Sequence, residues 1–217
     1  MKRALVSWSG GKDSCYAAIK AIELGYAPVV LLNVLNEEGS FSRSHRIPKH
    51  ILETQAQLFQ TPILLISASW QEYEMKFTAA LKHLKEKYNL HAAIFGDIDL
   101  QAHRDWEEKV CAAAGLEAVL PLWQRTRNAL VLEMLQCGIE TTIVSCNETM
   151  GGRFLGAKLT PQVVHELEAL GVDPCGENGE FHTLVTNCKL FQTPMSIQLT
   201  QKVKQGAYWF AEFVLTS

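Results

Sequence analysis

The sequence lacks several features that would each have pointed to a particular class of protein. None of its six cysteines forms a Cys-x-x-Cys pair, which argues against a zinc ribbon and against a dithiol redox site. No run approaches the ~18 consecutive apolar residues of a membrane span. The first residues carry no apolar core of a signal peptide, and we therefore expect a cytoplasmic protein.

The sequence also lacks a basic excess. Its 20 Lys and Arg residues face 23 Asp and Glu residues, and the net charge is −3. This balance gives no electrostatic footprint for nucleic acid, so we do not expect a nucleic-acid ligand. No low-complexity tract or internal repeat is visible. With 217 residues, 47% of them hydrophobic, the chain can bury a substantial core, and we expect a folded globular protein.

The first half of the chain alternates apolar, β-branched runs with amphipathic helical patterns. Such an alternation predicts a parallel sheet covered by helices on both faces. The ligand crevice of such a sheet lies at the carboxyl ends of its strands. The strand patterns are RALVSWS, PVVLLNVL, TPILLIS, AAIFGDI and LEAVLPL.

The pattern changes after Pro121. A helical pattern near residues 126–137, the apolar run IETTIVSC, a helix from Pro161 and an alternating tail follow. These elements predict a smaller α+β unit whose last two strands form a hairpin. We therefore predict two domains, an α/β domain over residues 1–121 and a smaller α+β domain over residues 122–217.

The stretch ALVSWSGGKDSCYA, at residues 4–17, places a lysine in a glycine-rich turn between a strand and a helix. Backbone N–H groups at a helix N-terminus favour an anion, and Lys12 adds a positive charge. The hydroxyls of Ser9 and Ser14 could complete an anion site, and Gly11 is expected to have a positive φ. The alternative is an ordinary turn in which Asp13 or Ser14 caps the helix.

The loop SGGKDS resembles the PP-loop of the N-type ATP pyrophosphatases, which split ATP between the α and β phosphates. The segments FGDIDLQAHRDWEEKVC, LPLW and GVDPCGENGEFHTLV resemble the diphthine-ammonia ligase family, and the likeness runs from residue 4 to about residue 185. At residues 178–182 the chain reads NGEFH where ligases acting on diphthine tend to read GGEYE. This version is similar to bacterial relatives, and the acceptor is therefore not carried over.

The resemblance implies an α/β fold with a HUP-like (adenine nucleotide alpha hydrolase-like) parallel sheet and a second, smaller α+β domain. It implies an ATP-dependent ligase that adenylates a carboxylate, releases pyrophosphate and forms an amide with ammonia. ATP and Mg²⁺ are the implied cofactors. The partners are a small-molecule or protein-borne carboxylate and ammonia, with a homo-oligomer left open. The implied ATP-binding residues are Ser7, Ser9, Gly10, Gly11, Lys12, Asp13, Ser14, Asn33, His45, Gly96 and Asp97.

The segment CGENGEFHT is the second cluster of interest. Asn178-Gly179 between extended residues is typical of a type I′ hairpin turn, which by itself would explain the motif. Across such a hairpin Glu177 and Glu180 would face each other. Mg²⁺, ammonium or a substrate amine would relieve their repulsion, or a shared proton would make the pair a general base toward ammonia, assisted by His182. The predicted catalytic residues are Lys12, Glu177, Glu180 and His182, with Glu180 more sensitive than Glu177.

Other polar residues follow the predicted strands. Asp97 lies at a strand end in FGDID, and Asp13 lies in the loop; both are predicted Mg²⁺ ligands. Asn33 ends the second strand, where this fold contacts adenine through its main chain. For His45, in the polar loop that follows, phosphate contact and a solvated position are both open.

Two other function classes use similar loops. One is a PP-loop RNA-modifying enzyme, for tRNA thiolation or lysidine formation. The absence of paired cysteines and of basic excess counts against it. The other is a nucleotide-sensing module that catalyses no reaction. Such a module would not explain the acidic pair in GENGE.

Overall fold

The computed structural model of the protein describes residues 1–216. The N-terminal strands are β1 (Lys2–Ser7), β2 (Tyr26–Leu35), β3 (Ile63–Ser67), β4 (Ala92–Ile94) and β5 (Glu117–Val119). They form the predicted parallel sheet, and its strand order is β3-β2-β1-β4-β5. The helices of this part are α1 (Lys12–Glu23), α2 (Lys49–Leu58), α3 (Tyr73–Tyr88) and α4 (Gln101–Ala114).

The central strands are buried on both faces, which explains their continuous apolar sequence. Along β1, Leu5 packs in one hydrophobic cluster with residues of α3 and α4. Its neighbour Val6 points to the opposite face and packs with residues of α1 and α2. Successive side chains of a strand point to opposite faces, so each helix pair covers one face of the sheet.

The second half forms a smaller unit of helices and antiparallel strands, as predicted. Its elements are α5 (Arg127–Gln136), β6 (Glu140–Asn147), a 3-10 helix (Gly152–Phe154), α6 (Pro161–Ala169), β7 (Phe181–Asn187), β8 (Ile197–Gln205) and β9 (Tyr208–Leu215). The strand order is β7-β6-β9-β8, and β8 and β9 form the predicted hairpin. Thr160 caps α6 by accepting a hydrogen bond from Val163 N.

The two halves share one hydrophobic core. Trp8 and Ile19 belong to the same buried cluster as Ile143 and Val185. Strand β7 also reaches the glycine-rich loop, where Val185 N donates to the carbonyl of Gly10 at 2.9 Å. The division at residue 121 stays a prediction. Within residues 1–216, no helix has the length and apolar character that a membrane crossing needs.

Candidate active site

A cavity of about 660 Å³ lies at the carboxyl ends of β1 and β4, where the sheet topology predicts a ligand. One wall is the glycine-rich loop, and the other is the segment that precedes and begins β7. The predicted residues that line it are Ser7, Ser9, Lys12, Asp13, Ser14, His45, Gly96, Asp97, Glu177 and His182. A smaller cavity of about 70 Å³ shares part of this lining and includes Asn33. Gly10, Gly11 and Glu180 line neither cavity.

The two loop glycines are needed for different reasons. Gly10 has φ +84°, in the left-handed region that favours glycine. Gly11 has φ −93°, so the expected positive φ at Gly11 is wrong. A Cβ atom on Gly11 would lie 2.5 Å from Cε1 of His45 and 3.0 Å from the carbonyl oxygen of Thr183. Close packing against these residues therefore explains the second glycine.

The buried side chain of Gln55 on α2 holds the loop from behind. Its Nε2 donates to the carbonyls of Gly10 at 3.0 Å and Val185 at 2.8 Å. Its Oε1 accepts from Trp8 Nε1 at 2.9 Å. Sequence analysis missed Gln55, although it lies on the apolar face of α2 beside Ile51, where a polar residue is a signal of a buried hydrogen-bond network.

Lys12 is almost completely buried, with 2% of its surface exposed. Its Nζ donates to both carboxylate oxygens of Asp13, at 3.0 and 2.9 Å, and to the carbonyl of Cys175 at 2.5 Å. Its backbone N–H donates to Thr183 Oγ1 at 3.1 Å. Burial favours the neutral amine, but nearby negative charge, above all Asp13, outweighs it and raises the pKa of Lys12. A permanent positive charge therefore lies in the cavity wall.

The hydroxyls of the loop are arranged around its backbone. Ser9 Oγ and Ser14 Oγ lie 3.0 Å apart, and Ser9 Oγ also accepts from Gly11 N at 3.3 Å. Helix α1 has Gly11 at its N-cap and no side-chain cap, so the alternative of a helix capped by Asp13 or Ser14 is wrong. Ser14 Oγ also donates to the carbonyl of Gly11 at 3.1 Å and accepts from Ser9 N at 3.3 Å, so both hydroxyls would exchange partners to bind an anion.

Asn33 presents an unsatisfied acceptor beside the smaller cavity. Its Nδ2 donates to the carbonyl of Trp8 at 2.7 Å. Its Oδ1 is buried and has no hydrogen-bond partner within the described residues. A buried acceptor without a partner is costly, and the amino group of an adenine would satisfy it.

Two imidazoles stack at the edge of the loop. The ring centroids of His45 and His182 lie 4.4 Å apart with an angle of 28° between the planes. His45 Nδ1 lies 3.1 Å from the carbonyl oxygen of Thr183 and donates to it. Burial lowers the pKa of His45, and burial together with the neighbouring His45 and Lys12 lowers the pKa of His182 well below its usual value. Both rings are therefore neutral at pH 7, and an unprotonated ring nitrogen of His182 can accept a hydrogen bond.

The segment before β7 is not the predicted type I′ hairpin. Residues 173–180 contain no strand, and β7 pairs with β6 instead. The turn runs from Gly176 to Gly179, whose N–H donates to the carbonyl of Gly176 at 3.1 Å. Asn178 has no positive φ, which a type I′ turn requires at both central residues. Glu177 and Glu180 therefore do not face each other across paired strands.

Asp173 organises this turn. Its carboxylate accepts from the backbone N–H groups of Cys175 and Glu177, both at 3.0 Å. It also pairs with Arg127 Nη1 at 2.5 Å, and only 5% of its side chain is exposed. Arg127 pairs with Asp99 as well, at 2.6 Å. Sequence analysis missed Asp173 and Arg127, because the ion pair joins residues 46 positions apart.

The two predicted catalytic glutamates have different surroundings. The Glu180 carboxylate accepts from Asp173 N at 3.3 Å, from Asn178 N at 3.0 Å and from Asn178 Nδ2 at 3.1 Å. Glu177 instead lines the cavity. Burial and the charge of Asp13 raise the pKa of Glu177 to about 8. Glu177 therefore suits proton transfer near neutral pH, whereas Glu180 holds the turn.

A second carboxyl cluster lines the same cavity, on the side of α4. Asp97 accepts from His103 Nδ1 at 2.7 Å, and its charge acts on the buried carboxyl group of Glu107. His103 and Glu107 lie one turn apart on α4, so both reach Asp97. Glu107 is 3% exposed, and burial and Asp97 raise its pKa to about 11. Its Oε2 has no hydrogen-bond partner among residues 1–216.

The carboxylates fit a nucleotide-bound Mg²⁺ better than a resident metal ion. In the part of the chain that the structure describes, no group of three or more His, Cys, Asp or Glu is arranged to hold a metal. Asp13 and Asp97 line the same cavity, yet Lys12 holds the first and His103 the second. Because Mg²⁺ commonly takes one or two carboxylates plus phosphates and water, Asp13 in the loop is sufficient for such an ion.

Comparison with known families identifies the chain's relatives. A family profile described as the diphthamide synthase N-terminal domain matches residues 1–118, and one described as the diphthamide synthase C-terminal domain matches residues 127–215. The chain belongs to the diphthamide synthase family. The resemblance stated from SGGKDS and GENGEFHT is therefore confirmed. The predicted border at residue 121 lies between the two matched ranges.

Curated members of the diphthamide synthase family align over most of the chain. Diphthine–ammonia ligase of Rattus norvegicus is 26% identical over 94% of this chain and 85% of its own length. The same-named protein of Danio rerio is 27% identical over 90% of this chain and 86% of its own. A solved structure described as a predicted subunit of tRNA methyltransferase from Methanocaldococcus jannaschii is 16% identical, with a TM-score of 0.49 over 87% of this chain and 98% of that one.

Proposed function

We propose that the protein is an ATP-dependent ligase that adenylates an acceptor carboxylate, releases pyrophosphate and forms an amide with ammonia. Its family supports the class of enzyme, a ligase that forms carbon–nitrogen bonds. The observation that carries the proposal is the common cavity of Lys12 and Glu177. A phosphate-binding lysine and a carboxyl group with a pKa near neutrality line the same 660 Å³ space.

In this proposal the loop binds the phosphates that leave. Lys12 brings a charge that is already desolvated, so it stabilises developing negative charge without rearrangement of water. Ser9 and Ser14 turn their hydroxyls from each other toward the phosphates. The adenine lies in the smaller cavity, where Asn33 Oδ1 accepts from its amino group.

Lys12 must change partners for this step. Its Nζ is bound to Asp13 and to the carbonyl of Cys175, and phosphate oxygens replace the latter. Mg²⁺, when bound with the nucleotide, neutralises phosphate charge. Asp13 is the loop residue placed to hold the ion, and Asp97 as a second ligand stays a prediction.

Glu177 acts in the second half of the reaction. Its carboxylate takes a proton from ammonium, the nitrogen lone pair forms the bond to the acyl carbon, and the acyl–oxygen bond to AMP breaks. A base whose pKa lies near the working pH is suited to this transfer. The second proton that the nitrogen loses passes to water, and the neutral ring of His182, on the same wall, accepts a hydrogen bond from the attacking nitrogen. Glu180 acts indirectly, by holding the turn that carries Glu177.

The acceptor is a carboxylate of a small molecule or of a protein. The relatives are named for diphthine, but the motif at residues 178–182 differs from that of ligases acting on diphthine. Trp70, 70% exposed and stacked on Tyr73 at 5.7 Å, forms the rim where an acceptor would enter.

The test is a screen of carboxylate metabolites for pyrophosphate release from ATP in the presence of ammonium. The proposal predicts acceptor-dependent release of AMP and pyrophosphate in equal amounts, with amide as the third product. Binding of ATP without pyrophosphate release for any acceptor would favour a nucleotide sensor. Copurifying RNA that stimulates pyrophosphate release would favour an RNA-modifying enzyme.

A further inference from the structure

We propose that the wall formed by Asp97, Glu107 and the rings of Tyr73 and Trp106 binds the ammonium ion that supplies the nitrogen. This inference rests on the proposed ligase function and locates one of its substrates. All four residues line the 660 Å³ cavity, on the side of α3 and α4. The site lies outside the phosphate loop and outside the turn that carries Glu177.

The first observation is an unsatisfied acceptor in the cavity wall. Only 3% of the surface of Glu107 is exposed, and its Oε2 has no hydrogen-bond partner within residues 1–216. A buried acceptor without a partner typically costs about 1–3 kcal/mol, so a ligand that donates a hydrogen bond there is favoured. Asp97, which lines the same cavity and whose charge acts on Glu107, supplies the negative charge that a cationic donor needs.

The second observation is the aromatic surface beside these carboxyl groups. The centroids of the Tyr73 and Trp106 rings lie 5.6 Å apart, and Phe95 also lines this side of the cavity. Ring faces attract ammonium-type cations, most strongly where water is displaced. Two carboxyl groups and two aromatic rings thus line the same cavity.

This combination suits ammonium better than Mg²⁺. Mg²⁺ requires near-octahedral oxygen ligands and gives up its water reluctantly, whereas aromatic rings provide no such ligands. Ammonium donates N–H bonds and is placed well by one carboxylate and one carboxyl oxygen. Asp97 is then a ligand of ammonium, and the loop carboxylate Asp13 remains the candidate for Mg²⁺.

The placement also explains how the nitrogen reaches the base. Asp97 and Glu177 line the same cavity, and the charge of Asp97 acts on Glu177. An ammonium ion held by Asp97 and Glu107 is therefore close to the group that takes its proton. His103, bound to Asp97 at 2.7 Å, fixes the orientation of that carboxylate.

The test measures ammonium binding without ATP or acceptor. The melting temperature is compared in ammonium chloride, sodium chloride, tetramethylammonium chloride and magnesium chloride at equal ionic strength. We expect ammonium to raise the wild-type melting temperature by about 3 °C at ten times its dissociation constant. The shift should vanish in Asp97→Asn and in Glu107→Leu. It should persist in Glu108→Gln, a matched control whose exposed side chain pairs with Arg104 instead.

Equal wild-type melting temperatures in ammonium chloride and sodium chloride would overturn the inference. So would an ammonium-induced shift that persists in both variants. The third contrary result is that the variants lose a magnesium-induced shift and keep the ammonium-induced one. Because Glu107→Leu alters a buried site, Asp97→Asn provides the second, milder variant. Ammonium binding without pyrophosphate release for any acceptor would refute the ligase function alone. Pyrophosphate release with no ammonium shift would refute this site alone.

Discussion

The Nζ atom of Lys12 lies 2.5 Å from the carbonyl oxygen of Cys175, so a residue of the second half holds the lysine of the phosphate loop. The same half also holds the loop backbone, because Thr183 Oγ1 accepts from Lys12 N at 3.1 Å. The loop is therefore completed by the segment that carries Glu177. The two walls of the cavity are therefore in direct contact.

Lys12→Ala should lower acceptor-dependent pyrophosphate release by about 100-fold or more, the scale of a lost charge-stabilising donor. The affinity for AMP should fall less, because Lys12 is assigned to the leaving pyrophosphate. Turnover and AMP binding are measured side by side. The control is Lys20→Ala on the same helix, whose side chain pairs with Glu23 away from the cavity. Equal losses of ATP and AMP affinity, with the fold intact, would contradict the assigned role.

Gln55→Ala should destabilise the protein by roughly 3 kcal/mol, because it leaves buried groups of Trp8, Gly10 and Val185 without their partner. Denaturant unfolding measures this loss. The exposed neighbour Gln57→Ala, on the same helix, serves as the control. We also expect weaker ATP binding in Gln55→Ala, since the network holds the loop. Unchanged stability would show that water replaces the amide without cost.

Glu177 should make stability depend on pH. Its pKa of about 8 in the fold exceeds the ordinary value of 4.5, so between these values the native state binds more protons than the unfolded state. Raising the pH from 5 to 8 therefore costs stability through this group, by up to about 1.4 kcal/mol per pH unit. Glu177→Gln removes this cost, and its unfolding free energy relative to wild type should rise across that range. Glu166→Gln, at an exposed site on α6, should show no such rise relative to wild type. An equal rise in Glu166→Gln would refute the assignment to Glu177.

Comparison of Glu177→Gln with Glu180→Gln should distinguish a catalytic role from a structural role. Glu177→Gln should keep the fold and lower ammonium-dependent turnover by ~100-fold or more, the scale of a lost general base. Glu180→Gln weakens charge-assisted bonds to the backbone of Asp173 and Asn178, so stability should fall and turnover should fall less. Melting temperature and turnover are measured together. A larger turnover loss in Glu180→Gln, at unchanged stability, would restore the ranking expected from sequence.

The sheet could be predicted because its determinants are local. The runs that became β1 and β2 are apolar throughout, and the glycine-rich loop follows β1 directly. The cavity residues of the loop followed from the same pattern, since the carboxyl ends of parallel strands form the crevice. Lys12, Asp13 and Asp97 were located in this way.

The acidic turn could not be predicted because a distant ion pair determines its shape. Asn178-Gly179 is typical of a hairpin, but Asp173, paired with Arg127, binds the backbone of Glu177 and sets a different turn. Glu107 was missed for a related reason. Glu107 lies among charged residues in the sequence of α4, and this pattern does not indicate that the fold buries its side chain near Asp97.

The most direct test of the account follows one oxygen atom. With an acceptor whose carboxylate carries oxygen-18, attack on the α-phosphate transfers one labelled oxygen to AMP and leaves pyrophosphate unlabelled. Mass spectrometry of the products should therefore find one oxygen-18 atom in AMP for each amide formed, with the yield strongly reduced in Lys12→Ala. Unlabelled AMP, or release of ADP and phosphate in its place, would contradict adenylation of a carboxylate at this site.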